Sequence, residues 1–419
     1  MGTRGGLRLS DKKLSLKKLW VLMVTAFVDM IGFALLLPLL PLYAQRFGAD
    51  AFTVGLLMAS FALAQLVCAP LWGRLSDRVG RRPVILGSLS LAALAFLFFA
   101  YAESVLMLLV CRLLQGAGGA NMSVVSAYVS DSVGPEERAK GLGWITACTS
   151  AGVMIGPAIG TLAIGAGWGL ESPGLIAAVL CVLNILFAWR WLPESSAEAV
   201  PAEPRKPQRI REQIHTVLRH PMLPTSSLIW IYASGMMAFM AMNGVLALYL
   251  AYRFEVDESN IGWYYVAVGM VSVVIRGLVL GWIVRRYGEV RVLRRGALLL
   301  GAGMILAPFA ATPWQFLLIA LLIPTGTAFL FPSTTSLISR YADPREVGQT
   351  LGVQQAFGGV SRLLGPIWAG AVFQHIGESV PFRIGGGLVL LTALFALRLH
   401  PGEAPRKPAP ATDSEAAVG

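Results

Sequence analysis

Charge is what this chain has least of. Only 14% of its 419 residues are Asp, Glu, Lys or Arg, where a soluble domain carries about a quarter. With 56% hydrophobic residues and a mean hydropathy of +0.66, the composition excludes a water-soluble globular domain and reads as a polytopic membrane protein. Cysteine is nearly as scarce. Cys68, Cys111, Cys148 and Cys181 all fall inside apolar runs without paired spacing, which excludes a disulfide framework and a metal site. The four histidines (His215, His220, His375, His400) stand at span ends, in a polar connection or in the tail. No nucleotide-binding loop and no nucleophile–base pair accompanies them, so the chain is not expected to be an enzyme and calls for no cofactor.

What is present is apolar sequence in helix-length pieces. They fall near 20–43, 53–72, 83–101, 105–129, 141–165, 174–192, 223–250, 259–284, 296–311, 314–338, 349–375 and 382–399. About twelve transmembrane helices in an all-α membrane protein follow, and an even number puts both termini on one side. The formal net charge of +11 would suit nucleic acid, but its distribution argues otherwise. Outside the spans, Lys and Arg crowd into the N-terminal segment, the tail and alternate connections, and only Arg46 and Arg253 fall in the others. That asymmetry predicts cytoplasmic termini. The lipid bilayer, and not nucleic acid, is the expected partner. The basic N-terminus precedes a long apolar run with no small-residue cleavage site, which reads as a retained helix.

The predicted organisation is a cytoplasmic segment 1–19, a six-helix bundle 20–192, a Pro-, Glu- and Arg-rich linker 193–222, a second six-helix bundle 223–399 and a cytoplasmic tail 400–419. The second half repeats the first. Pro135-Glu136-Glu137-Arg138 through Gly156-Pro157 aligns without gaps onto Pro344-Arg345-Glu346-Val347 through Gly365-Pro366. Gly73 and Gly80 fall on Gly281 and Gly288, and Gly55 falls close to Gly262. Parallel repeats of this kind place a substrate site at their interface, near the midplane.

Between the second and third spans lies Gly73-Arg74-Leu75-Ser76-Asp77-Arg78-Val79-Gly80-Arg81-Arg82-Pro83, whose charges cannot remain in hydrocarbon and must form a tight polar hairpin at the surface. The fourth span carries Arg112-Leu113-Leu114-Gln115-Gly116-Ala117-Gly118-Gly119-Ala120, and the fifth carries Gly152-Val153-Met154-Ile155-Gly156-Pro157-Ala158-Ile159-Gly160. With these three motifs the chain resembles the major facilitator superfamily, and within it the twelve-helix drug/proton antiporters of the tetracycline-exporter type. The similarity covers essentially residues 15–400. It departs from the pattern in the second-half hairpin, where Arg285 stands in place of an aspartate, and in lacking the acidic residues of later helices. The resemblance implies a proton-coupled exporter of lipophilic small molecules or drugs. Such a protein works by alternating access in a bacterial inner membrane, as a monomer driven by the proton gradient, and confers antibiotic resistance. It further implies that Asp77 meets the start of the eleventh helix near Gln349, with Gly73, Arg78, Arg81 and Asp131 completing a conformational latch that breaks on opening inward.

Of 23 acidic residues, Asp29 alone lies inside a span. An isolated carboxylate in hydrocarbon favours its neutral form, as a proton-coupling site requires, although a structural hydrogen bond to a neighbouring helix is the plainer alternative. Arg112 is the expected partner: helix rise leaves only ~6 Å of depth between the two in a ~30 Å core. Gly152, Gly156 and Gly160, with Pro157, form a small-residue stripe expected either to give ordinary close helix packing or, by the same packing, to serve as the contact between halves when the outside closes. The expected substrate cavity comprises Gln115 and Asn121 on the fourth helix, Tyr232, Met236, Phe239, Met240 and Asn243 on the seventh, and Arg276 and Arg362 on the eighth and eleventh. Three arginines against one acid leave that cavity positive. A lipophilic anion or zwitterion therefore fits it better than a bare organic cation, and export or flipping of an endogenous anionic metabolite or lipid is the alternative reading.

Overall fold

The structure, a computed structural model, describes residues 7–119, 122–133, 135–194, 207–343 and 346–399. Residues 1–6 of the expected N-terminal segment, 195–206 of the linker and the tail 400–419 lie outside it. Among the described residues twelve helices are long and apolar enough to cross a membrane: α1 Leu19–Arg46, α2 Ala51–Val79, α3 Arg81–Ala100, α4 Val105–Val129, α5 Lys140–Gly165, α6 Ser172–Trp191, α7 Pro224–Phe254, α8 Ile261–Tyr287, α9 Glu289–Phe309, α10 Pro313–Tyr341, α11 Val347–His375 and α12 Val380–Leu397. The described residues contain no strand, as expected where water cannot satisfy an open sheet edge.

Short, specific devices end these helices. Asp50 caps α2 by accepting the Thr53 backbone N–H at 2.8 Å. That bond, with a second from Gln374, holds the Asp50 carboxyl below the usual carboxylate range. Gly80 and Gly288 occupy the same place in each half, between α2 and α3 and between α8 and α9. Their φ values of +98° and +81° belong to a region other residues seldom enter.

Each half packs around one helix pair, α1 along α5 and α7 along α11. Helices α3 and α6, and in the second half α9 and α12, lie together on the outside. Leu183, Leu186, Leu391 and Leu394 are exposed there, an apolar surface suited to acyl chains. The halves meet through α2 against α11 and α5 against α8. Both contacts are built alike: a Cβ on Gly55 would collide with the Pro366 carbonyl oxygen, and one on Gly262 with the Pro157 carbonyl oxygen. The sequence repeat is thus realised as two equivalent glycine-on-carbonyl crossings.

These crossings lie toward one end of the molecule, opposite the linker, and that end is sealed. Arg46 binds Glu258 through two bonds of 2.6 and 3.1 Å. Gln374 donates to Asp50 at 2.9 Å and accepts the Phe52 N–H at 3.1 Å. The Gly262 N–H donates to Thr161 Oγ1 at 2.9 Å. At the linker end the same helices part: a Cβ on Gly73, Gly143, Gly277, Gly348 or Gly352 would meet nothing within 4 Å. The molecule is closed at one end and open at the other.

Enlarging a crossing glycine should therefore open the sealed end. Gly262→Val introduces overpacking worth about 1–3 kcal/mol, enough to shift the population roughly 5- to 150-fold. Spin labels at Glu103 and Thr312, in a background without the four native cysteines, should report a longer distance population by double electron–electron resonance. An unchanged distribution would remove the crossing from the closing mechanism.

Candidate functional site

Asp29 projects from the middle of α1 into a small cavity bounded by Thr25, Ala26 and Met30 of the same helix, Ile85 and Leu89 of α3, and Val125 of α4. It makes no ion pair and no hydrogen bond. Asn184 Nδ2 donates to the Thr25 carbonyl at 2.9 Å and the Cys181 thiol to the Leu89 carbonyl at 3.2 Å, while Thr25 Oγ1 and Asn184 Oδ1 are buried without partners. The carboxyl group is left alone in the first half.

The expected contact between Asp29 and Arg112 is not made. Arg112 is 4% exposed, donates from Nη1 to Gln115 Oε1 at 2.6 Å, and lies 4.7 Å from the centre of the Phe61 ring. That same ring stands 5.1 Å from Phe33, one turn along α1 from Asp29. Gly116 explains the placement: a Cβ there would collide with the Phe61 carbonyl oxygen, so α4 is drawn onto α2 and turns Arg112 toward α2. Depth arithmetic alone cannot resolve that rotation. Gln115, expected in the substrate cavity, is buried against Arg112 in this state. The Arg112 Nε and Gln115 Nε2 atoms remain buried without partners.

The hairpin keeps part of its expected cluster. Arg81 bonds Asp77 at 2.6 Å, Ser76 at 2.6 Å and Asp131 at 3.1 Å. Glu194, just beyond α6, accepts the backbone N–H groups of Arg81 at 2.7 Å and Arg82 at 3.2 Å, and caps α3. Arg78 is exposed and Gly73 faces open space. The cluster lies wholly in the first half, with Gly348 and Gly352 of α11 unopposed, so parting of the halves at this end does not break it. The expected approach of Asp77 to the start of α11 is not made in this state, while the Arg81 pairs with Asp77 and Asp131 are kept.

The glycine stripe of α5 packs inward as well. Cβ atoms on Gly152, Gly156 and Gly160 would fall 2.5, 2.6 and 3.1 Å from the carbonyl oxygens of Phe27, Ile31 and Leu35, all on α1. The contact with the other half comes instead from Met154, the Pro157 carbonyl and Thr161, facing Gly269 and Gly262 of α8.

The candidate cavity residues divide. Tyr232 and Met236 are buried in the second half, Tyr232 against Phe331 at 5.4 Å and close to Gly358. Met240 packs on Gly365. Phe239 and Asn243 line an apolar crevice with Tyr264 and Tyr265 of α8 and Phe316 and Leu317 of α10. Arg276 is exposed and Arg362 half-buried, and neither has a carboxylate partner. Asn121 lies outside the described residues. Sequence reasoning missed Phe61 and Phe331, aromatic residues in uniformly apolar helices. It also missed Glu258, buried between the halves one residue beyond an apolar run.

The sequence matches the family profile described as Major Facilitator Superfamily over residues 22–289 and again over 228–418. It is 31% identical over 368 residues to the class C tetracycline resistance protein of Escherichia coli, covering 84% of this chain and 89% of that one. It is 27% identical over 384 residues to multidrug resistance protein 2 of Bacillus subtilis (strain 168), covering 88% and 92%. Among solved structures, the human organic anion transporter MFSD10 superposes with a TM-score of 0.67 at 25% identity, covering 91% of this chain and 99% of that one.

The Arg112–Gln115 pair yields a stability prediction. Gln115→Leu strips a buried cation of its only hydrogen-bond partner and should cost about 1.5–3 kcal/mol, seen as a lowered midpoint in thermal unfolding of the detergent-solubilised protein. Arg112→Met on that background should restore much of the loss, since the uncompensated charge is then gone. Two additive losses would contradict the pairing.

Proposed function

Because the chain belongs to the Major Facilitator Superfamily, we propose that it exports lipophilic small molecules, drugs among them, across a bacterial inner membrane in exchange for protons. The observation that carries this reading is Asp29: an acid in the middle of a membrane-spanning helix, in a cavity, with no counter-charge and no hydrogen bond. A carboxyl group so placed binds and releases a proton without first breaking an ion pair.

The charge distribution supports cytoplasmic termini, and on that reading the open end faces the cytoplasm and the sealed end the outside. Arg112, held by Gln115 and Phe61 in this state, is the cation whose approach to Asp29 in the opposite state would favour proton release. Export then follows from rocking the halves about the crossings of α2 with α11 and α5 with α8. Asp77, Arg81 and Asp131 act as a latch within the first half, presenting one surface to α11 when the cytoplasmic end closes. The similarity to a class C tetracycline resistance protein and to a multidrug resistance protein supports drugs as cargo. A second reading, export or flipping of an anionic metabolite or lipid, is supported by Arg276 and Arg362 standing without carboxylates and by the likeness to an organic anion transporter.

In proteoliposomes under an imposed pH gradient, Asp29→Asn is expected to abolish gradient-driven accumulation, by tenfold or more, across a panel of lipophilic substrates. Passive, downhill exchange should persist. A mutant that accumulates substrate normally and keeps the wild-type pH dependence would overturn the assignment of Asp29.

A further inference from the structure

The second half holds one feature that the repeat does not account for. Helix α8 is interrupted by a π-helical turn at Ile275–Val279, while its counterpart α2 runs as unbroken α-helix through the equivalent position, Cys68. A π-turn is rare and recurs at functional sites. No proline forces this one, and Arg276 is its only charged residue.

Three observations converge there. Arg276 is exposed, has no carboxylate or hydrogen-bond partner, and stands beside Gly277, on which a Cβ would meet nothing within 4 Å. Toward the sealed end, two turns or ~12 Å along the axis, α8 enters the apolar crevice through Tyr265 and Val268. That crevice holds no charged side chain; Asn243, whose Nδ2 donates to Phe239 O at 2.8 Å, and two tyrosines are its only polar residues. Tyr265, Val268, Ser272 and Arg276 recur at helical spacing, so cation and crevice lie along one face.

We infer that α8 forms a binding site for an amphiphilic monoanion. The apolar body occupies the crevice between α7, α8 and α10, and a carboxylate, sulfonate or phosphate-ester head sits on the Arg276 guanidinium. The π-turn widens the helix where the head is received. This deepens the transport reading above and rests on it only in taking the cleft as the cargo path.

The test uses two dyes that differ by one sulfonate: 8-anilinonaphthalene-1-sulfonate and neutral N-phenyl-1-naphthylamine, titrated by fluorescence against the full chain in phosphatidylcholine nanodiscs, with empty nanodiscs subtracted. The wild type is expected to favour the anion at least tenfold. Arg276→Gln should abolish that preference while sparing the neutral dye, Arg276→Lys should retain most of it, and Leu246→Trp, which fills the crevice, should weaken both dyes. Equal affinities in the wild type, or an undiminished preference in R276Q, would overturn the site. Phosphatidylglycerol added to the nanodiscs separates two sources of the anion. Competition in the wild type but not in R276Q assigns the head to a lipid, and its absence assigns it to a free anion. Binding is read without a gradient, so lost export beside an intact anion preference counts against the transport reading alone.

Discussion

Hydrocarbon offers a backbone amide or a charge nothing to bind, and that constraint organises the molecule. It imposes helices throughout the spans, because only a helix satisfies its own backbone. It also removes the hydrophobic effect as a reason for helices to associate within the membrane, leaving close packing and buried polar contacts. Glycines are therefore placed where backbones meet: Gly152, Gly156 and Gly160 bring α5 onto α1, Gly365 brings α11 onto α7, and Gly55 and Gly262 admit a proline carbonyl from the opposite half. The first set makes each half rigid. The second makes a contact between halves from a few atoms, which is all that a separable interface allows.

The same constraint sorts the charges. Arg46 and Glu258 meet at the sealed end, where Glu258 is buried between the halves. Arg81 gathers Asp77 and Asp131 at the opposite surface, inside one half. Each is a charge that found a partner near water. Within the spans the pattern reverses. Asp29 has no cation, and Arg112 has an amide and an aromatic face in place of a carboxylate. Ions left unpaired at this depth are costly, and their retention fits groups whose charge or position changes in a transport cycle.

Much of this was legible in the sequence. Span number, the two-fold repeat and the surface hairpin follow from hydropathy and glycine spacing, because the bilayer permits so few alternatives. Asp29 stood out because it has no competitor. What the sequence hid was azimuth. Counting residues put Arg112 at the depth of Asp29, but the Gly116 contact with α2 turned it away. The glycine stripe of α5 was visible, yet spacing says only that something approaches closely, not whether α1 or α8 does so. Glu258 was missed because it lies just outside an apolar run, and the π-turn at Arg276 carries no compositional mark at all.

The central claim is that the Asp29 carboxyl gains and loses a proton in the folded transporter. Infrared difference spectroscopy on the reconstituted protein across a pH step reads this directly, without a substrate. A carbonyl band of a protonated carboxylic acid is expected that disappears as pH rises and is missing from Asp29→Asn. A wild-type spectrum with no such titrating band, or one identical in the Asn variant, would contradict it.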